Sequence, residues 1–214
     1  MRYKEQHLHQ FSRWQFRHTR ITPAFRFRVP PSQAMPVLTL SAGLAQIDMM
    51  NYGFSTGRGR QMMARGENIE KLKTFKESFQ HRRCLVLANG FYDSEDIGSY
   101  LQPWHIHRRD DETMAFAGIS EERADGKNFC LASATSNRVV ARVIDRMPVI
   151  LDPHQWEAWL DPGTLVDRLK SMLVPYRDEP MEAYPVTRLL NKPGFDGPEC
   201  IERVEPAQGD LGIF

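Results

Sequence analysis

Short apolar runs recur along the chain, and most are bounded by Gly, Pro, Asn or Asp, the residues that usually flank β-strands. Apolar spacing typical of helices is less frequent, and it does not alternate regularly with the strand-like runs. The predicted strands are 35–40, 44–50, 84–91, 104–107, 113–117, 129–134 and 147–151. Clustered strands with irregularly inserted helices predict an α+β fold, with sheets that curl around one core.

The helical signals are fewer and each has a candidate cap. Asn68 can cap a helix in which Ile69, Leu72, Phe75 and Phe79 recur at helical spacing. The other candidates are a helix entered through Asp152 and Pro153, one over 165–174 capped by Thr164, a short one capped by Asn137, and a weak amphipathic one over 6–16. This irregular placement argues against a regular βαβ repeat.

Length and composition are those of a globular protein, and we expect one domain over residues 1–214. The net charge of +1 conceals an uneven distribution. Residues 1–30 carry seven Lys or Arg and one acid, residues 58–83 carry eight and three, and residues 84–214 carry thirteen and twenty-two. This distribution favours a basic face, although charges from the two halves could also interleave on folding.

Several classes of protein find no support in the sequence. No apolar run approaches the roughly 20 residues that cross a bilayer. Cys84, Cys130 and Cys200 form no CxxC pair, so neither a disulfide framework nor a zinc site is indicated, and we expect a cytoplasmic protein. Because no nucleotide-binding, nucleophile-elbow or zincin motif is present, no cofactor is predicted.

His105 and His107 are two residues apart on a predicted strand, so their side chains share one face. Such a pair could begin a metal site for hydrolysis, but spacing marks out no third ligand. We therefore interpret the two residues as solvent-facing histidines of an antiparallel strand, and we predict no metal.

Three further segments carry polar groups with two interpretations each. Arg65 could hold a phosphate near a helix N-terminus, or it could only brace the loop by pairing with Glu67. Asp93 could be a general acid or base at the end of an apolar strand, or an ordinary turn residue. Arg146 could likewise bind an anion or pair with Asp145.

Eight segments, taken in chain order, carry a family resemblance: 27–32, 52–54, 63–67, 82–93, 102–104, 116–119, 146–151 and 184–187. Among them, Arg146-Met147-Pro148-Val149-Ile150-Leu151 matches a family motif directly. Together they resemble the SOS response-associated peptidase (SRAP) family of abasic-site processing proteins over nearly the whole chain. The resemblance implies an SRAP-like α+β fold, in which curled, mainly antiparallel sheets form a barrel-like core with a few peripheral helices.

The resemblance also implies a chemistry for which this chain lacks most of the required side chains. In the family, an N-terminal cysteine forms a thiazolidine with the aldehyde of an abasic site, assisted by Asn, Glu and His. The corresponding positions here are Arg2, Met63, Asp93 and Ile144. Only Asp93 keeps a carboxylate, and whether Glu95 compensates is left open.

We therefore expect a non-covalent homologue that binds single-stranded or junction DNA, with or without abasic sites. The sequence leaves its oligomeric state open. Arg65 and Arg146 match family positions, Arg26 and Arg28 add charge beside Pro30 and Pro31, and we expect DNA contacts at Arg65, Arg146, Arg26, Arg28, Pro31 and Tyr52. One alternative is an active crosslinking enzyme, either with a start site upstream or with imine chemistry at the Met1 amine. Another is an interaction protein that uses the same scaffold without DNA.

Overall fold

The computed structural model describes residues 26–41, 43–57 and 59–205. Within them the strands are β1 (Ala34–Ser41), β2 (Leu44–Tyr52), β3 (Phe54–Thr56), β4 (Gly59–Gln61), β5 (Met63–Arg65), β6 (Arg83–Ala88), β7 (Gly90–Asp96), β8 (Leu101–Arg108), β9 (Met114–Arg123), β10 (Gly126–Thr135), β11 (Arg146–Pro148), β12 (Ile150–Leu151) and β13 (Met181–Pro185). The α-helices are α1 (Lys73–His81), α2 (Trp156–Leu160) and α3 (Val166–Ser171). Short 3₁₀ segments occur at Val140–Arg142, Pro153–Gln155, Arg188–Asn191 and Pro198–Ile201. None of these helices has the length and apolar character needed to span a membrane.

Five strands close into a barrel. Strands β2, β1, β6, β9 and β10 follow one another in antiparallel pairs, and β10 returns to β2 in parallel, with Asn128 opposite Asn51. Strands β5 and β11 extend from β10, and β12 pairs with β9. The predicted α+β class, with curled and mainly antiparallel sheets around a barrel-like core, is therefore confirmed.

A second, three-stranded sheet has the order β13-β8-β7 and stands beside the barrel. Strand β7 of this sheet continues the chain from β6 after a bend at Asn89. The predicted strand 84–91 is thus two strands in two different sheets. The bend explains why an Asn-Gly pair interrupts an otherwise apolar run, since both residues favour turns and bends.

The barrel strands β6, β9 and β10 are buried on both faces over most of their length. Along β6, Leu85 and Leu87 belong to the hydrophobic cluster that contains α1 and α2, whereas Cys84 and Val86 belong to the cluster that contains Ile106 of β8. A strand that is covered on both sides needs no polar alternation. For this reason the sequence shows continuous apolar runs at these strands.

The helix predictions hold in part. Asp152 and Gln155 form a capping box at the start of one helical segment. The Asn137 Oδ1 accepts a hydrogen bond from the Val140 N–H at 2.9 Å at the start of another. Both predicted caps are therefore confirmed. Helix α1, however, begins at Lys73 rather than after Asn68, because residues 68–72 form turns. Thr164 does not cap α3; Leu165 precedes the helix and provides no side-chain cap. The predicted helix over 6–16 lies outside the described residues.

Arg83 fastens the helices to the barrel. Only 4% of its surface is exposed. Its guanidinium donates hydrogen bonds to the carbonyls of Phe79, Gln80, Trp159 and Asp161, at 2.5 to 2.7 Å. These carbonyls lie at the C-terminal ends of α1 and α2. The last carbonyl groups of a helix have no intrahelical partners, and they carry partial negative charge. One buried cation therefore satisfies the ends of two helices.

Candidate functional site

A cleft of about 700 Å³ opens beside the bend at Asn89. Its wall combines residues of the barrel, of β7 and of the segment 26–31. Of the residues predicted to belong to the site, it brings together Arg26, Arg28, Pro31, Tyr52, Met63 and Asp93. Ile144, Arg65 and Arg146 do not line it, and Arg2 lies outside the described residues.

The segment 26–31 is fixed at the mouth of the cleft by a few hydrogen bonds. The backbone N–H groups of Phe27 and Arg28 donate to one Asp196 carboxylate oxygen at 2.8 and 3.0 Å. The Tyr92 hydroxyl donates to the Phe27 carbonyl at 2.8 Å, and the Arg28 guanidinium donates to the Lys192 carbonyl at 3.2 Å. The chain around Pro30 and Pro31 is therefore held in place from both sides.

Asp93 is one of two carboxyl residues that line the cleft; the other, Asp111, is hydrogen bonded to His107. It lies on β7 opposite Trp104 of β8. Its Oδ1 accepts from the Ser94 N–H at 2.8 Å, and no side-chain hydrogen bond reaches its Oδ2 from the rest of the described chain. Burial raises the pKa of Asp93, and the nearby Asp145 charge raises this pKa further. Glu95, the possible substitute, is outside the cleft wall and accepts from the Trp104 indole N–H at 3.1 Å.

The aromatic part of the cleft is a stacked pair. Tyr52 lies on Phe129 with ring centroids 5.1 Å apart and planes inclined by 12°. Burial raises the pKa of Tyr52 well above its ordinary value, so the ring remains a neutral phenol. Met63 and Leu131 complete the apolar wall next to this pair. The cleft therefore offers a flat, uncharged surface in a wall that also contains the carboxyl groups of Asp93 and Asp111.

The two arginines outside the cleft differ from each other. Arg146 forms a bidentate ion pair with Glu67 at 2.9 and 3.1 Å, and its guanidinium also hydrogen bonds to the Ser133 hydroxyl and carbonyl. Hydrogen bonding to Arg146 lowers the pKa of Glu67. Neither Arg65 with Glu67 nor Asp145 with Arg146 is the ion pair that forms.

Arg65 itself is exposed, and within the described chain it makes no side-chain hydrogen bond or ion pair. It lies on β5 opposite Ser133 of β10. The same holds for the side chains of Lys71, Lys73 and Lys76, which follow it along the sequence and are exposed. Other charges of this basic region are paired with the second half of the chain, for example Arg60 with Asp125. The interleaving is therefore partial.

The histidine pair corrects the sequence interpretation. His105 and His107 do share one face of β8 and stack at 4.9 Å, but each is only 8% exposed, so they are not solvent-facing. Strand β13, which the sequence analysis missed, covers them with Tyr184. Desolvation and the neighbouring His107 lower the pKa of His105 to about 3, so its imidazole is neutral. Among the described residues no group of three His, Cys, Asp or Glu could hold a metal ion.

Asn89 and Gly90 line the cleft, but the sequence analysis did not identify them as site residues. The Asn89 Oδ1 is buried and has no hydrogen-bond partner within the described residues, while its Nδ2 donates to the Asp111 carbonyl at 3.2 Å. Gly90 has no room for a side chain, since a Cβ there would lie 2.3 Å from the His105 Nε2. The Asn-Gly pair was the available signal, but it predicted a turn rather than the wall of a cleft.

Fold and cleft together define an α+β barrel protein with an arginine-bordered cleft at the junction of its two sheets. Solved structures share this fold: a protein from Bacteroides thetaiotaomicron has a TM-score of 0.71 at 23% identity, covering 81% of this chain and 82% of that one. The model of the SOS response associated peptidase (SRAP) family matches residues 2–193, and the chain belongs to this family.

Named relatives agree with this assignment. The abasic site processing protein YoqW of Bacillus subtilis is 32% identical over 150 residues, which are 67% of each chain. The abasic site processing protein YMR114C of Saccharomyces cerevisiae is 28% identical over 160 residues, which are 71% of this chain but 44% of the yeast protein. The similarity to the yeast protein therefore concerns less than half of that relative.

Proposed function

We propose that this protein binds single-stranded or junction DNA non-covalently, through the cleft and the exposed Arg65, and does not form a thiazolidine with abasic sites. The relatives named as abasic site processing proteins support DNA as the partner class. The proposal extends this partner class to a mode of binding.

The observation that carries the proposal is the side-chain chemistry at the family's assisting positions. Met63 lines the cleft with a thioether where the family has Asn. Ile144 packs against the apolar cluster around Val140 where the family has His. Imine formation and ring closure require proton transfers, and neither side chain can transfer a proton. Asp93 alone cannot replace the set.

Binding itself needs cations and flat surfaces, and the chain retains both. Arg65, Lys71, Lys73 and Lys76 offer exposed positive charges that the described part of the chain does not neutralise. Lysines and arginines that contact phosphates release counterions, which makes affinity fall with salt. The Tyr52 ring, which lies on the buried Phe129, and the prolines at the mouth provide surfaces on which bases can stack.

The first experiment measures the salt dependence of binding. A labelled thymine 15-mer is titrated by fluorescence anisotropy between about 50 and about 200 mM salt. Arg65→Ala should weaken binding and reduce the slope of log K against log salt by about 0.7, the share of one single-strand phosphate contact.

Lys127→Ala is the matched control, because it also removes one positive charge. Lys127 is on β10 six residues before Ser133, which is the partner of Arg65, so the two sites are about 20 Å apart. Its partner Asp48 keeps hydrogen bonds from Thr39 and Gln46. Equal effects of the two substitutions would remove Arg65 from the interface.

The second experiment tests the absence of covalent chemistry. The protein is incubated with a single strand that contains one abasic site and is then run on a denaturing gel. We expect no heat-stable adduct, because the assisting Asn and His are replaced by Met63 and Ile144. A heat-stable adduct would refute the non-covalent proposal, and an adduct seen only after borohydride reduction would indicate reversible imine chemistry instead.

The cytoplasm is the compartment that we propose. Cys84, Cys130 and Cys200 are free and buried, an arrangement that persists in a reducing environment. This part of the proposal is independent of the DNA-binding experiments.

A further inference from the structure

We propose that a backbone phosphate of the DNA binds the outer edge of the Arg146 guanidinium, beside Arg65, in exchange for the Glu67 carboxylate. Glu67 is then an internal competitor that sets the affinity of this phosphate site. The inference rests on the proposed DNA binding, to which it adds a second phosphate contact and the residue that regulates it.

The inner side of the Arg146 guanidinium is held by the sheet. Its Nε donates to the Ser133 hydroxyl at 3.3 Å, and its Nη2 donates to the Ser133 carbonyl at 2.9 Å. Ser133 is buried within β10, and its carbonyl also accepts from the Gly66 N–H at 2.8 Å. Because these bonds do not involve Glu67, they keep the guanidinium oriented when the carboxylate leaves.

The outer edge of the same guanidinium holds Glu67. Nη1 and Nη2 of Arg146 donate to the two carboxylate oxygens at 3.1 and 2.9 Å. A guanidinium presents the same pair of N–H groups to a phosphate as to a carboxylate, and it binds either in a bidentate manner. The Glu67 carboxylate therefore marks the position that two phosphate oxygens take.

Glu67 is the partner that can be exchanged. Its side chain is 53% exposed, whereas that of Arg146 is 16% exposed. Among the described residues, no side chain other than Arg146 hydrogen bonds to this carboxylate. Turning it into solvent breaks one exposed ion pair, and such pairs contribute little to stability. A phosphate can therefore replace Glu67 without moving any buried group.

Arg65 brings a second positive charge to the same point. It precedes Glu67 by two residues and is exposed at the end of β5. Hydrogen bonds from Arg146 lower the pKa of Glu67, and the charges of Arg146 and Arg65 lower this pKa further. The two cations that stabilise the carboxylate would stabilise a phosphate at this point in the same way.

Glu67→Gln tests the exchange. A labelled thymine 15-mer is titrated by fluorescence anisotropy at about 150 mM salt, where charges that are not in contact are screened over about 8 Å. We expect the variant to bind about twofold to fivefold more tightly than the wild type. This gain corresponds to the removal of a competitor that is held by one exposed ion pair.

Asp145→Asn is the matched control. It also removes one exposed carboxylate, and Asp145 precedes Arg146 in the chain without pairing with it. We expect its gain in affinity to be less than half that of Glu67→Gln. Equal gains would mean that Glu67 acts only through the general field of the surface, and the exchange would be refuted.

Arg146→Ala removes the group for which Glu67 and the phosphate compete. It should weaken binding, and in this background Glu67→Gln should gain no more than Asp145→Asn does, because contacting residues have non-additive effects. Urea unfolding verifies that each variant is folded under the assay conditions. The same gain from Glu67→Gln with and without Arg146 would overturn the inference.

A thymine 15-mer with uncharged methylphosphonate linkages identifies the group that replaces Glu67. It should bind the wild type and Glu67→Gln equally, because it offers no anion to the guanidinium. A gain from Glu67→Gln on this strand would show that the competitor of Glu67 is not a phosphate.

The outcomes separate this inference from the proposed function. If the phosphodiester strand binds the wild type in a salt-dependent manner but Glu67→Gln gives no gain, the exchange fails while DNA binding stands. If that strand shows no salt-dependent binding to the wild type or to Glu67→Gln, the proposed function fails and the exchange fails with it.

Discussion

Arg83 and Arg65 are both arginines of family-like segments, yet the fold uses them in opposite ways. Arg83 is buried and donates to four backbone carbonyls at the ends of two helices. Arg65 is exposed on β5, and no side chain or carbonyl of the described chain pairs with it. A motif arginine therefore indicates a ligand only where the protein itself does not satisfy the guanidinium.

Arg146 lies between these extremes. Its guanidinium is mostly covered, pairs with Glu67 and hydrogen bonds to Ser133, so it joins β11 to the turn after β5. Strands β5 and β11 flank β10 on its two sides, with Arg65 opposite Ser133 and Arg146 opposite Thr135. Arg146 therefore remains a predicted DNA contact and also has a structural role.

The largest effect that we expect is on Arg83. Arg83→Met should lower the free energy of unfolding by at least about 3 kcal/mol, because it leaves several buried carbonyls without donors, at about 1–3 kcal/mol each. The measurement is the denaturant midpoint from urea unfolding at constant slope.

Arg82→Met is the neighbouring control. Arg82 is 40% exposed at its side chain and pairs mainly with the exposed Glu77, so its replacement should cost about 1 kcal/mol or less. If both substitutions lowered stability equally, the carbonyl contacts of Arg83 would not be the reason for its burial.

The sequence predicted the barrel better than the site. Strands such as 129–134 were found because apolar runs bounded by turn residues are a local signal, whereas β5 and β13 are short and pair with β10 and β8 far along the chain. The burial of His105 and His107 depends on β13, so no local pattern could show it. The family resemblance placed Tyr52, Met63 and Asp93 in one cleft, but Asn89 became visible only once the chain bent between two sheets.

A smaller effect, which depends on pH, should distinguish Arg146 from Arg65. Arg146→Ala should lower the free energy of unfolding at pH 7 by about 1–2 kcal/mol, through loss of the ion pair and of the bonds to Ser133. Because Arg146 lowers the pKa of Glu67 below its ordinary 4.5, the ion-pair part of this stability is present above that pH. It is lost as the pH falls through the lower pKa of the folded state.

The difference in stability between the wild type and Arg146→Ala, measured by urea unfolding, should therefore shrink towards pH 3 and keep only the contribution of Ser133. Glu67→Gln should reproduce the pH-dependent part alone, because it removes the charge and spares the bonds to Ser133. Arg65→Ala is the control from the same motif and should stay within about 0.5 kcal/mol of the wild type at every pH, since its side chain is exposed. A difference that persists unchanged at low pH would mean that Arg146 stabilises the fold through Ser133 alone, and that Glu67 leaves Arg146 available to an anion.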